Sequence, residues 1–163
     1  MTAIIIISIL ILLFLIYWVY YVEIYNITGC DARGDGHLGT YLKRYILYKG
    51  KNRIYFHKFM RSDYDDMHDH PWDFITIPLW RGYIEEIPIY NKNIRTSRFV
   101  APFTFNYRPA EYIHRVVLRK RNGKELPAYS IIFTFYKHKP WGFFTKNGFM
   151  GWREYITELK CWD

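Results

Sequence analysis

Residues 67–90 read MHDHPWDFITIPLWRGYIEEIPIY, and two features of this stretch decide the fold class. Phe74–Trp80 and Tyr83–Tyr90 are short runs rich in β-branched and aromatic residues with turn signals around them, the pattern of strands rather than of helices. At the head of the stretch stands His68-Asp69-His70. Side chains alternate along an extended chain, so both imidazoles fall on one face while Asp69 points away. Two nitrogens so placed can chelate one metal ion. Asp73, three residues on, has the wrong parity for that face, but a kink at Pro71 would swing it inward as a further ligand or as a hydrogen-bond partner of one; otherwise it caps the turn before the strand.

The same rhythm extends in both directions. Tyr41–Tyr48, Arg53–Met60, Thr96–Phe103, Tyr112–Arg119 and Ala128–Tyr136 repeat it, and only Gly151–Leu159 has helix-like spacing. An all-β sandwich or small barrel with a short C-terminal helix is therefore expected. The densest basic run, Arg119-Lys120-Arg121, abuts Asn122-Gly123 and reads as a hairpin turn, so the formal net charge of +8 is not taken as a nucleic-acid footprint. In the Tyr112–Arg119 run, Tyr112, His114, Val116 and Leu118 share one face, which makes His114 the natural third imidazole. Three neutral imidazoles with open positions suit a catalytic first-row metal; a closed structural site would want four protein ligands.

At 50% hydrophobic and 21% aromatic, the chain can bury a sizeable core and is not a disordered tail. Cys30 and Cys161 match no disulfide framework or Cys-x-x-Cys pattern, which suggests a reducing compartment. From Ala3 to Val22 no residue is charged, and such a stretch as a helix spans roughly 30 Å, one hydrocarbon thickness. Tyr17, Trp18, Tyr20 and Tyr21 close it with ring types that settle at membrane interfaces, and the basic residues follow it. The expected organisation is a single-pass transmembrane anchor over 1–22, a Gly/Asp-rich linker over 23–40 and a domain over 41–163 on the cytoplasmic side.

The spacing around the histidines resembles that of the cupins. Their first motif runs His-x-His, Glu, Gly; here His68 and His70 are followed by Gly82 at the matching distance, with Ile75 in the Glu position. Their second motif contains Pro-x-Gly-x-x-His, matched by Pro109 and His114 with Glu111 where glycine is usual. Ser62 and Phe103 stand at two other motif glycines. The metallo-β-lactamase pattern does not fit, since Trp72 occupies its Asp position. The cupin resemblance implies a double-stranded β-helix, or jelly roll, holding a divalent metal in its barrel. A three-histidine set without the Glu is similar to the thiol dioxygenase branch, the cysteine dioxygenase type, which implies Fe(II), with Mn, Ni or Zn as alternatives. That resemblance also implies Arg44, or its neighbour Lys43, as a clamp for a substrate carboxylate, and Ser130 as the surviving member of a late-strand Ser-x-His-x-Tyr string in which Ile132 and Thr134 replace the other two. Arg108, directly before Pro109, is a second candidate clamp, and Arg61 a third.

The expected function is thus a metal-dependent dioxygenase acting on a small anionic molecule. A cupin isomerase or epimerase and a non-catalytic membrane-tethered module are the alternatives. Cupins often form homodimers, although no segment here specifies one. His37, His57 and His138 lie outside the motifs and read as exposed or packing residues.

Overall fold

The computed structural model describes residues 2–28, 40–89 and 94–158. Its elements begin with α1 (Thr2–Tyr21), β1 (Glu23–Thr28), β2 (Thr40–Lys49), β3 (Arg53–Phe59), β4 (Met67–His68), β5 (Phe74–Trp80) and β6 (Tyr83–Ile89). They continue with β7 (Ile94–Val100), β8 (Asn106–Arg108), β9 (Arg115–Val117), β10 (Lys120–Arg121), β11 (Lys124–Glu125) and β12 (Ala128–Thr134). The chain then closes with β13 (Gly142–Thr145), β14 (Gly148–Gly151) and α2 (Trp152–Glu158).

One layer is an antiparallel sheet in the order β1-β2-β3-β12-β5-β8, in which the late strand β12 inserts between β3 and β5. The facing layer consists of two three-stranded pieces, β7-β6-β9 and β14-β13-β4. They meet at a bridge where the His68 N–H donates to the His114 carbonyl at 2.9 Å and the His114 N–H returns the bond at 3.0 Å. Two packed layers with this crossed order form a jelly roll.

Alternation along the strands sends Leu42, Tyr55, Phe59, Phe74, Ala128 and Ile132 inward. One apolar cluster joins Leu42, Phe59, Tyr83, Val100, Val116, Leu118 and Ala128 across both layers. A second holds Ile46, Tyr55, Phe74 and Ile132. Each large side chain so buried contributes about 1.5–3 kcal/mol over leaving it in water. His57, Thr76, Ser130 and Thr134 are also buried, so a polar band runs through the interior.

Asn122 and Gly123 (φ 51° and 75°) join β10 to β11 with both central residues left-handed, as a two-residue hairpin requires. Arg81 and Gly82 (φ 67° and 63°) are left-handed as well, and they carry the chain from β5 in one layer to β6 in the other. A Cβ at Gly82 would also collide with the Val100 carbonyl. Phe103, at a motif-glycine position, keeps the left-handed backbone of a glycine (φ 62°). Ser62 has a different use: its hydroxyl donates to Glu125 at 2.6 Å and accepts from the Leu118 N–H at 2.8 Å, pinning the β10–β11 hairpin.

The structure departs from the sequence reading in four places. Glu23–Thr28, read as the start of a linker, is an edge strand paired with β2 from Glu23 opposite Ile46 to Ile27 opposite Leu42. Its Glu23 meets Lys49 at 2.8 Å, so an acidic residue beginning an Ile-containing segment fits a solvated edge. Residues 29–39, the rest of that linker, lie outside the described residues, as do Cys30, His37 and Cys161. The run Tyr112–Arg119 is strand only over β9, because the Tyr112 N–H donates to the Pro109 carbonyl and holds the preceding residues in a turn. The aromatic C-terminal segment, where only a short helix was expected, contains the β13–β14 hairpin before α2. Phe143 pairs with His68 in register, its ring stacks on Tyr155 at 3.8 Å, and Trp141 stacks on Trp152. Asp69, the residue between the two motif histidines, fastens this cap by accepting the Gly142 N–H at 2.9 Å and pairing with Lys139.

The apolar N-terminal run is the fourth. It is helical, and its last turns dock on the outer face of β2: the Tyr17 hydroxyl donates to the Leu47 carbonyl and the Trp18 ring lies 5.4 Å from Tyr45. Among the described residues no helix is long and apolar enough to cross a membrane, so the expected transmembrane span is not supported. What the structure has instead is a helix whose aliphatic side chains from Ile4 to Ile16 are exposed.

Candidate metal centre

His68, His70 and His114 converge, with one ring nitrogen from each lying within 4.8 Å of the others. The ring centroids form a near-equilateral triangle with sides of 5.0, 5.1 and 5.2 Å. His68 arrives on β4, His70 on the segment leading into β5, and His114 one residue before β9. Their positions are set by main-chain bonds, since beyond the His68–His114 bridge the His70 N–H donates to the Ala110 carbonyl at 3.0 Å.

The electrostatics suit metal ligation. Burial holds the His68 imidazole down to about 4, against the opposing pull of Asp63, and burial together with the neighbouring imidazoles holds His70 well below the usual 6.5. Both rings are therefore neutral near pH 7, the form that offers a lone pair. His70 Nε2 and His114 Nε2 approach to 2.9 Å. His114 Nδ1 lies 3.2 Å from Glu85 Oε1; a carboxylate there requires an Nδ1–H, which leaves Nε2 as the bare nitrogen. On the third ring, His68 Nδ1 is buried without a hydrogen bond, 3.9 Å from Asp63 Oδ2. Two of the three imidazoles thus have a carboxylate behind them, and one buried nitrogen has no hydrogen-bond partner. This donor set fits a divalent metal.

Glu85 is fully buried on β6. Arg108 reaches it at 2.7 and 3.2 Å, Arg98 at 2.9 and 3.1 Å, and the Tyr112 hydroxyl at 3.3 Å. Removing a partner from a buried ion pair costs about 3–5 kcal/mol, so this network fixes the orientation of His114 firmly. The expected roles of Arg108 and Asp73 are corrected accordingly. Arg108 is spent on Glu85 and is not among the residues lining the cavity. Asp73 stays outside the histidine cluster: its Oδ1 accepts the Ala110 N–H at 2.8 Å and its Oδ2 the Tyr107 hydroxyl at 3.0 Å, the turn-capping role. Ile75, in the Glu position by spacing, has the outward parity of β5, and Phe74 packs on His70 at 4.6 Å in its stead. Ser130 is buried with an unpartnered hydroxyl, opposite His57 in the β3–β12 pairing, and does not line the cavity.

The three imidazoles open into a cavity of about 370 Å³. Its wall is largely aromatic, including Tyr55, Trp72, Phe74 and, from the cap, Trp141, Phe143 and Trp152. Arg44, Arg61 and His57 supply polar groups to it. Arg44 Nε donates to His57 Nε2 at 3.0 Å and its guanidinium lies 4.8 Å from the Tyr55 ring centre. Burial, reinforced by the Arg44 charge, holds His57 well below its usual range, so it is a neutral acceptor. Sequence reading took His57 for an exposed or packing residue and gave Glu85 no role. The signal for both was parity, since Tyr55-His57-Phe59 and Tyr83-Glu85 each place a polar residue on a face that is otherwise buried and aromatic.

By sequence the chain matches no family model and no curated protein. By structure it resembles a cupin-2 domain from Rhodospirillum rubrum, with 11% identity over 87% of this chain and 83% of that one and a TM-score of 0.55. A cupin 2 conserved barrel domain protein from Rhodopseudomonas palustris aligns at 10% identity over 78% and 81%, with a TM-score of 0.52. The Fe(II) form of HppE aligns at 12% identity over 71% of this chain and 57% of its own, with a TM-score of 0.51, so the chain spans little more than half of that protein. The chain has the fold of these cupin domains, and its three histidines form a site able to bind a metal.

Two outcomes follow. Because His57, His68 and His70 take up protons less readily in the fold than in the unfolded chain, the unfolded chain binds more protons between about pH 6.5 and 4. The stability of the metal-free protein should be full above that window and fall as pH drops through it, read as a declining thermal midpoint; a flat midpoint from pH 7 to 4 would contradict the neutral imidazoles. In metal analysis of the purified chain, His68→Ala, His70→Ala and His114→Ala should each lose stoichiometric metal. Glu85→Gln should weaken metal affinity about 10–100-fold, while His57→Gln and His138→Ala retain it.

Proposed function

We propose that the chain is a cupin dioxygenase of the three-histidine type, using Fe(II) to oxidise a small anionic molecule. The observation that carries the reading is the opening of three clustered imidazoles and the Arg44 guanidinium, which has no carboxylate partner among the described residues, onto one cavity. His68, His70 and His114 would hold the metal, which when bound supplies oxygen activation at positions the protein leaves open. The protein's own contribution is orientation and exclusion of water. His57 holds Arg44 by its Nε, leaving the guanidinium's terminal nitrogens for a carboxylate, a planar group that its fork matches. Glu85 keeps His114 in one tautomer, and the aromatic cap shields the site from solvent. HppE, a protein of similar fold, has been crystallised with Fe(II), which supports iron over manganese, nickel or zinc.

Anaerobic loading of the chain with Fe(II), followed by oxygen-electrode measurements across a panel of carboxylates, tests this. Oxygen uptake should require both iron and an anionic substrate and should fall at least 100-fold in His114→Ala. Turnover without oxygen would point instead to an isomerase. Ile132 and Thr134, where the resembling branch carries His and Tyr, favour the non-catalytic alternative, in which the chain binds metal and anion but consumes no oxygen.

We also propose that α1 attaches the domain to a membrane from the cytoplasmic side. No described helix is long and apolar enough to cross a membrane, but the exposed aliphatic surface of α1 from Ile4 to Ile16 precedes the first charge at Glu23. The full chain should sediment with membranes and resist a high-salt wash, and Ile9→Lys together with Leu12→Lys should move it to the supernatant. A wild-type chain found wholly in the supernatant would end the proposal.

A further inference from the structure

The residues around the cavity describe its occupant more closely than "a small anion". Arg44 and Arg61 both line it, and Arg61 Nε is buried without a hydrogen bond. Asp63 lines it too, so two guanidiniums stand against one carboxylate in the wall. Arg108 is answered by Glu85 and Arg115 by Glu86 at 3.2 Å. Arg44 has no carboxylate partner among the described residues. One face of its guanidinium lies on Tyr55 and its Nε is committed to His57, so its remaining hydrogen-bonding edge is what a ligand can use.

The rest of the wall is apolar. Trp72, Phe74, Ile132 and Phe143 contribute to it beside the imidazoles. A volume of about 370 Å³ corresponds to about a dozen waters at about 30 Å³ each. A ligand as small and polar as a three-carbon amino acid would leave most of this space unfilled and would face rings with its ammonium and side-chain polar groups. Apolar pockets with a few convergent polar groups take ligands of the opposite design, an apolar body with one polar end.

We infer that the cavity's ligand is a monocarboxylate with an apolar, ring-bearing body of about a dozen heavy atoms, its carboxylate on Arg44 as positioned by His57 and its body against the aromatic wall. This rests on the assignment of Arg44 as the anion-binding group in the proposed function.

Isothermal titration of the full-length chain in detergent with four probes tests it: 3-phenylpropanoate, propanoate, 3-phenylpropanamide and L-cysteine. The first should bind at least tenfold more tightly than each of the others. Arg44→Gln should weaken 3-phenylpropanoate at least tenfold and leave the amide nearly unchanged, and His57→Gln should weaken it less. If Arg44→Gln does not fold, Arg44→Lys, which keeps the charge but loses the fork, serves in its place and should still weaken binding. Equal affinity for propanoate would remove the apolar body from the inference, equal affinity for the amide would remove the carboxylate, and tighter binding of L-cysteine would overturn the class. The order of affinities should persist in His114→Ala. Metal content measured on the same samples therefore lets the metal reading and the ligand reading fail separately.

Discussion

Two backbone hydrogen bonds between His68 and His114 hold together both the second layer of the jelly roll and its chemistry. β4 is two residues long and His114 precedes a three-residue strand, so each has only a short ladder of its own, to β13 and to β6. Their mutual pairing lies in an interior closed by the C-terminal cap, where each unmade backbone bond would cost about 1–3 kcal/mol. The seam between the two half-sheets is therefore a fixed point of the fold, and the imidazoles project from it. The histidines are brought together by the sheet.

That placement determines how the surrounding charges are used. A carboxylate behind His114 must itself be kept in a dry interior, and Glu85 is kept there by Arg98, Arg108 and Tyr112. Arg108 is thereby removed from ligand binding, although its position beside Pro109 in sequence suggested otherwise. Asp69 serves the cap and Asp73 the turn below Ala110, so the acidic residues closest in sequence to the motif histidines stay out of the cluster. Among the described residues Arg44 is partnered by a neutral imidazole and a tyrosine ring, and it faces an aromatic cavity.

Much of this was legible before any coordinates. The two-residue period identified β2, β3, β5, β6 and β12 nearly to their ends, because half-buried strands write their burial directly into alternation. Asn122-Gly123 marked its hairpin, since few other pairs tolerate two left-handed residues in succession. The parity of His68 and His70, and of His114 with Val116 and Leu118, was also readable. The edge strand β1 was not, because its Gly/Asp-rich continuation masked a six-residue segment whose partner lies across an intervening stretch. The role of Arg108 was hidden for a related reason: its partner is 23 residues away in sequence and no local pattern couples them.

The sequence by itself therefore determined the class of fold, the identity of three imidazoles on inward faces and the apolar character of the N-terminal helix, all of which depend on periodicity and composition within a few residues. Only the tertiary structure decided which charges meet. It paired Glu85 with Arg108 and His114, set His57 under Arg44, and turned Asp73 to the backbone. Those outcomes depend on strand order and on the desolvation of each group among its neighbours, and a one-dimensional pattern holds neither.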